Sequence, residues 1–171
     1  MDLKSKLRHV MDFPKEGIDF VDITTVLQDA ESFRIALLQL QEKLKGFGEY
    51  DLIVGPESRG FIFGSPLAFM EKKGFIPIRK KGKLPYKTIS VEYKLEYGVD
   101  ILEIHEDAIC EGQRVVIIDD LLATGGTTRS NIDLVEKLGG KVVGILFFIE
   151  LSFLEGRKKI EGYNVDSVIT F

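Results

Sequence analysis

Val115-Val116-Ile117-Ile118-Asp119-Asp120-Leu121-Leu122-Ala123-Thr124-Gly125-Gly126-Thr127-Thr128 is the stretch on which the fold of this chain turns. Four β-branched residues in a row read as a buried strand, with two acids at its carboxyl end. A Thr-Gly-Gly-Thr-Thr turn then opens a helix predicted over about Thr127 to Leu138. Such a turn suits an anion: glycines let backbone amides approach, hydroxyls add donors, and the helix start offers free N–H groups and a positive dipole end. Gly125 is expected to leave room for the anion itself. The lysine of a Walker loop and the Gly-x-Gly-x-x-Gly spacing are both missing, so neither a nucleotide triphosphatase nor a dinucleotide binder fits. Asp119 and Asp120 would repel phosphate, but they can accept hydrogen bonds from a vicinal diol such as the ribose hydroxyls. A tight turn with an acidic helix cap would explain a bare Thr-Gly-Gly-Thr. With the strand and both acids in place, the reading is a ribose 5-phosphate.

Outward from this stretch, strands and helices alternate. Leu3, Leu7 and Met11 at four-residue spacing predict a short N-terminal helix. Asp29 reads as the cap of a helix with the stripe Phe33, Leu37, Leu40 and Leu44, ending at Gly46. Leu52 to Val54 is a short buried strand, followed by a helix over roughly Pro66 to Lys73 and a strand over Phe75 to Ile78. Val91, Tyr93, Leu95 and Tyr97 alternate with polar residues, which predicts an antiparallel strand with one wet face, partnered by Leu102 to His105. Strand Lys141 to Ile149 closes a right-handed crossover with the central strand. The fold class is therefore α/β: a doubly wound, mainly parallel sheet with flanking helices and a small antiparallel flap. Ligands in such sheets sit beyond the carboxyl ends of the strands.

The chain of 171 residues reads as one domain, with an N-terminal segment 1–28 and a mobile flap over about 79–104. A net charge of −4 gives no global field to draw nucleic acid or anionic lipid, so neither partner is expected. Cys110 is the only cysteine, and the first residues lack the apolar core of a signal peptide, which points to the cytoplasm. His9 and His105 form no metal-binding pair.

Five segments in order share the wording of one family. They are Phe13-Pro14 with Gly17 and Phe20 to Thr24, Glu57-Ser58-Arg59-Gly60-Phe61, Arg79 to Pro85, Leu95 to Gly98, and Asp119 to Thr127. Together they resemble the type I phosphoribosyltransferases, and within them the branch that acts on adenine. The resemblance implies that Asp119, Asp120, Ala123, Thr124, Gly125, Gly126 and Thr127 hold the ribose phosphate. It implies that Ser58, Arg59, Lys80, Lys83 and Tyr97 hold the diphosphate, with a cis peptide at Ser58–Arg59. Adenine would lie between Phe20 and Leu151, its edge read by backbone groups of Asp19 and Val21. Many relatives carry Arg where this chain has Val21, so any side-chain contribution there is lost. Glu96 and Arg59 would be the catalytic residues.

The implied reaction joins adenine to 5-phosphoribosyl 1-diphosphate, giving AMP and diphosphate in a purine-salvage step. Mg2+ would be held mainly through substrate oxygens and water, as its hydration demands, and a homodimer is implied. A 6-oxopurine or xanthine transferase is the alternative within the enzymes, yet Phe147 to Leu151 offers no lysine for the base oxygen. A regulator that binds phosphoribosyl diphosphate without turnover is the other, and about 12 residues before Phe13 are too few for a DNA-binding module. If Glu96 assists the developing sugar cation, Glu96→Gln should bind phosphoribosyl diphosphate normally and lower kcat roughly 100-fold. Steady-state kinetics showing near wild-type kcat would return Glu96 to the wet face of its strand.

Overall fold

The computed structural model describes residues 2–94 and 99–171. The expected contributions of Glu96 and Tyr97 lie outside the described residues. The chain divides into two compact units, Met1–Gln39 and Leu40–Phe171. No helix among the described residues is long and apolar enough to cross a membrane.

In the first unit, β1 (Arg8–Met11) pairs antiparallel with β2 (Asp19–Asp22), from Arg8 opposite Asp22 to Met11 opposite Asp19. The predicted N-terminal helix is thus replaced by a single 3-10 turn over Lys4–Lys6 and a strand. An isolated helix this short is costly to nucleate. The ladder instead supplies cross-strand partners, with Arg8 Nη1 3.5 Å from Asp22 Oδ2 and His9 Nδ1 2.8 Å from Asp19 Oδ2. After the short helix α1 (Thr24–Leu27), Asp29 caps α2 (Ala30–Leu44) as expected, accepting the Ser32 N–H at 3.0 Å and its hydroxyl at 2.5 Å.

The second unit is built on seven strands in the order β5-β6-β4-β3-β7-β8-β9. In chain order they are β3 (Leu52–Pro56), β4 (Gly74–Lys80), β5 (Thr88–Lys94), β6 (Val99–His105), β7 (Arg114–Leu122), β8 (Lys141–Glu150) and β9 (Val165–Thr170). β4, β3, β7, β8 and β9 run parallel, whereas β6 and β5 add antiparallel at one edge. This is the mainly parallel α/β sheet expected. Helix α3 (Arg59–Glu71) connects β3 to β4, and α4 (Gly126–Lys137) connects β7 to β8 in the opposite direction. Right-handed crossovers then put the two helices on opposite faces, with the carboxyl ends of β3 and β7 at the switch point.

Three expectations shift. Helix α3 starts at Arg59 and carries Pro66 inside it, so the proline interrupts the hydrogen-bond ladder without marking the helix start. β7 runs on to Leu122, placing Asp119 and Asp120 within the strand rather than at its carboxyl end, because β8 continues to pair with it. The antiparallel hairpin is a continuation of the main sheet, since β6 pairs with β4 through Arg79–Glu103 and Lys80–Leu102.

From Ile145 to Ile149, β8 is fully buried, and Phe148 packs on the equally buried Phe63 of α3 with ring centroids 5.0 Å apart. Phe148→Ala should therefore cost about 3–5 kcal/mol of stability, measured as a lowered urea midpoint at constant slope. A loss under about 1 kcal/mol would mean the sheet and α3 can close around the cavity.

Candidate active site

β3 and β7 lie side by side from Leu52 opposite Val115 to Val54 opposite Ile117, and then part. The chain of β3 turns through Glu57 and Ser58 into α3, while β7 continues along β8. A cleft of about 440 Å³ opens where they diverge. Its wall is formed by Pro56 to Arg59, Lys80, Tyr93, Leu102, Asp119 to Leu121 and Ala123 to Thr128. The start of α3 comes close to β7 because residue 60 has no side chain. A Cβ on Gly60 would stand 3.1 Å from both Asp119 Oδ1 and the Ile118 carbonyl oxygen. That approach brings Arg59 Nε to 2.9 Å from Asp120 Oδ2. The cis peptide falls at Glu57–Ser58, one bond before the expected position.

Burial pushes the Asp119 carboxyl well above the usual carboxylate range, and the neighbouring Asp120 charge adds to the shift. Burial raises Asp120 as well, with Arg59 pulling in the opposite direction. Asp119 Oδ1 accepts the Asp120 N–H at 2.8 Å. Asp120 Oδ2 is buried and accepts no directed hydrogen bond, although the Arg59 charge is beside it. The strand end therefore presents two adjacent carboxylates, one with a buried oxygen short of a donor, as hydrogen bonds from a diol would need.

The opposite wall carries cations that already face acids. Lys80 Nζ is 2.9 Å from Asp100 Oδ2, which also accepts the Tyr93 hydroxyl at 3.1 Å. The hydrogen bond to Asp100 raises the Lys80 ammonium above its ordinary range and lowers Asp100 in return. Lys83 donates to Glu57 at 2.5 Å, and the Lys80 N–H donates to the other oxygen of the same carboxylate. Burial pushes Glu57 upward, but these bonds outweigh it and hold the carboxyl below its usual range.

Of the residues singled out from the sequence, Ser58, Arg59, Lys80, Asp119, Asp120, Ala123, Thr124, Gly125, Gly126 and Thr127 come together on this one cleft. Lys83 reaches it through Glu57. Leu151 follows β8 directly, its N–H donating to the Leu122 carbonyl at 2.9 Å. Asp19, Phe20 and Val21 belong to β2 of the first unit, where the Phe20 ring meets Phe13 edge-on at 5.2 Å. Sequence reasoning missed Tyr93 as a wall residue and Asp100 as the acid that holds Lys80 and Tyr93. Tyr93 is legible only as one member of an alternation, and Asp100 gains its place from the register that sets it opposite Tyr93.

Gly125 requires a correction. Its φ of +80° suits glycine, but the space a side chain would fill is not the anion's. A Cβ there would run into the carbonyl oxygen of Gly156, so the residue is bare to let a second stretch of backbone lie against the loop.

Because the folded protein holds a proton on Asp119 more tightly than the unfolded chain does, ionising it costs stability as pH rises through its folded pKa. Asp119→Asn keeps the acceptor for the Asp120 N–H and removes that cost. It should gain on the order of 1 kcal/mol at pH 7, and the gain should close below about pH 4. The same variant should bind ribose 5-phosphate more weakly, since an amide accepts a weaker hydrogen bond. Denaturant melts across pH with calorimetry test both. Unchanged stability at pH 7 together with unchanged binding would take Asp119 out of the site.

Comparison with known proteins agrees with this geometry. A sequence model described as the phosphoribosyl transferase domain matches residues 27–171. The chain is 68% identical to an adenine phosphoribosyltransferase of Acetivibrio thermocellus, over all of both chains. A crystal structure of adenine phosphoribosyltransferase from Thermoanaerobacter pseudethanolicus is 56% identical and superposes with a TM-score of 0.96, covering 99% of this chain and 98% of the other. The Saccharomyces cerevisiae enzyme, complexed with an imino-altritol bisphosphate and adenine, is 39% identical with a TM-score of 0.93, covering 97% of this chain and 96% of that one. The cleft and the sequence thus place this chain in the phosphoribosyl transferase family.

Proposed function

We propose that this protein transfers the phosphoribosyl group of 5-phosphoribosyl 1-diphosphate to adenine. The bond between the anomeric carbon and the diphosphate oxygen breaks and a bond to an adenine ring nitrogen forms, releasing AMP, diphosphate and the nitrogen's proton. The observation that carries this reading is the shared cleft. An amide-rich loop opens α4 on one side, and the paired Asp119 and Asp120 stand in the adjoining strand.

In this reading the Thr124–Thr128 turn takes the 5′-phosphate and the two acids take the ribose hydroxyls. Arg59 and Lys80, with Ser58, take the diphosphate, and Lys83 joins them by leaving Glu57. Lys80 and Lys83 can exchange a partly exposed pairing for a phosphate oxygen, while Arg59 keeps the buried Asp120 and bridges it to the anion, so no buried charge is stranded. Leaving of the diphosphate builds positive charge on the sugar, as in glycoside cleavage. The fixed acids stabilise that charge where it develops. Asp19, Phe20, Val21 and Leu151 are assigned to the base, Tyr97 to the diphosphate, and Glu96 with Arg59 to catalysis.

Among the described residues no three His, Cys, Asp or Glu side chains gather as a metal site. The buried Asp120, with an oxygen lacking a directed donor, and the half-buried Asp119 beside it fit a hydrated Mg2+ held through water and substrate oxygens better than a caged ion. When bound, the ion would neutralise the leaving diphosphate. A cytoplasmic homodimer completes the reading.

The test is to supply phosphoribosyl diphosphate, Mg2+ and one free base at a time: adenine, hypoxanthine, guanine or xanthine. Adenine should give AMP and diphosphate in equal amounts, at a rate at least 100-fold above the 6-oxopurines, since unpaired polar groups reject the wrong base edge. Faster turnover of hypoxanthine would move the enzyme to the 6-oxopurine branch. Tight binding of phosphoribosyl diphosphate without product would make it a regulator.

A further inference from the structure

The segment after β8 lies backbone to backbone against the phosphate loop. A Cβ on Gly156 would overlap the Ala123 carbonyl oxygen, just as one on Gly125 would overlap the carbonyl oxygen of Gly156. This turn, Gly156–Ile160, is anchored from its other side. Arg157 donates to both carboxylate oxygens of Glu150 at 2.7 Å and to the Val165 carbonyl at 2.9 Å. Glu150 is buried in β8 and also accepts the Ser167 hydroxyl at 2.8 Å. A bidentate pair on a buried carboxylate fixes the turn in place.

Lys159 stands two residues beyond Arg157. Its Nζ lies 3.9 Å from the point where a Cβ on Gly126, the first residue of α4, would stand. No other described group outside the glycine's own surroundings comes within 4 Å of that point, so open space adjoins the ammonium at the helix start. The three consecutive cations of the turn differ in their partners. Arg157 is held by Glu150 and Lys158 is paired with Glu155 at 2.6 Å, while Lys159 forms no ion pair with any described residue.

We propose that Lys159 is the cation that holds the 5′-phosphate, positioned by the seating of Gly156 and the Arg157–Glu150 pair. The proposal rests on the reading of the Thr124–Thr128 turn as the phosphate site. A phosphate monoester carries between one and two negative charges at neutral pH. The turn itself offers only amides, hydroxyls and a dipole end. The nearest charged side chains on β7, Asp119 and Asp120, have the wrong sign, and Arg59 and Lys80 face Asp120 and Asp100 across the cleft. Lys159 supplies the missing charge from the Gly156–Ile160 turn that lies against the loop.

Calorimetric titration of the full chain with ribose 5-phosphate, AMP and adenine tests this. Lys159→Gln should weaken ribose 5-phosphate and AMP about tenfold, the size of one charge-assisted contact. Adenine affinity should stay within about twofold, and Lys159→Arg should recover most of the loss. Lys158→Gln, one residue away with the same charge change, should leave all three ligands unaffected. The proposal is overturned if Lys159→Gln binds ribose 5-phosphate like the wild type, or if Lys158→Gln weakens it equally. Were the wild-type protein itself to ignore ribose 5-phosphate, the reading of the loop would fall, and the role of Lys159 with it.

Discussion

The parting of β3 from β7 after Val54 and Ile117 is the constraint on which the site depends. Two parallel strands that stayed paired to their ends would leave no cleft. Here β7 keeps β8 on one side and loses its neighbour on the other, so backbone groups beyond Ile117 need new partners. The Asp120 N–H finds one in the Asp119 carboxylate, and the start of α3 closes over the Ile118 carbonyl because Gly60 has no side chain. The same divergence that creates an unpaired strand edge fills it with acids and an arginine.

Charge is balanced internally in this cleft. Arg59 faces Asp120, Lys80 faces Asp100 and Lys83 faces Glu57. The lysine pairs are partly exposed, and exposed pairs contribute little, so a multiply charged ligand can displace them at small cost. The Arg59–Asp120 pair is different, because Asp120 is buried and a departing guanidinium would leave its charge uncompensated. Arg59 is better suited to bridge Asp120 and an incoming anion than to leave one for the other.

The phosphate loop is shaped by what lies behind it. Backbone contact with Gly156 fixes Gly125 in its left-handed conformation, and the Glu150–Arg157–Ser167 network ties that contact to β8 and β9. The loop is thereby organised before an anion arrives, as binding without large ordering costs requires. Stability is given up nearby: the adjacent acids sit where burial disfavours their charge, a common compromise at functional sites.

Much of this was legible in the sequence because it is carried by local patterns. The β-branched run Val115 to Ile118, the glycine turn at 125–126 and the alternation from Val91 to Tyr93 each reflect the geometry of a single element, as does the Asp29 cap. Strand pairing, depth and approach are not local. Leu3, Leu7 and Met11 have helical spacing, yet cross-strand partners eight to fourteen residues away made Arg8 to Met11 extended. Pro66 looked like a helix start, and only the packing of α3 across β3 and β7 shows it inside one. The sequence alone determined the parallel sheet, the phosphate-type turn and the paired acids, since residue type and spacing suffice for those. The tertiary structure decided that Gly125 makes room for Gly156, that Asp100 stands behind Lys80, and that Lys159 reaches the start of α4, because each depends on chain segments that meet only once the sheet has formed.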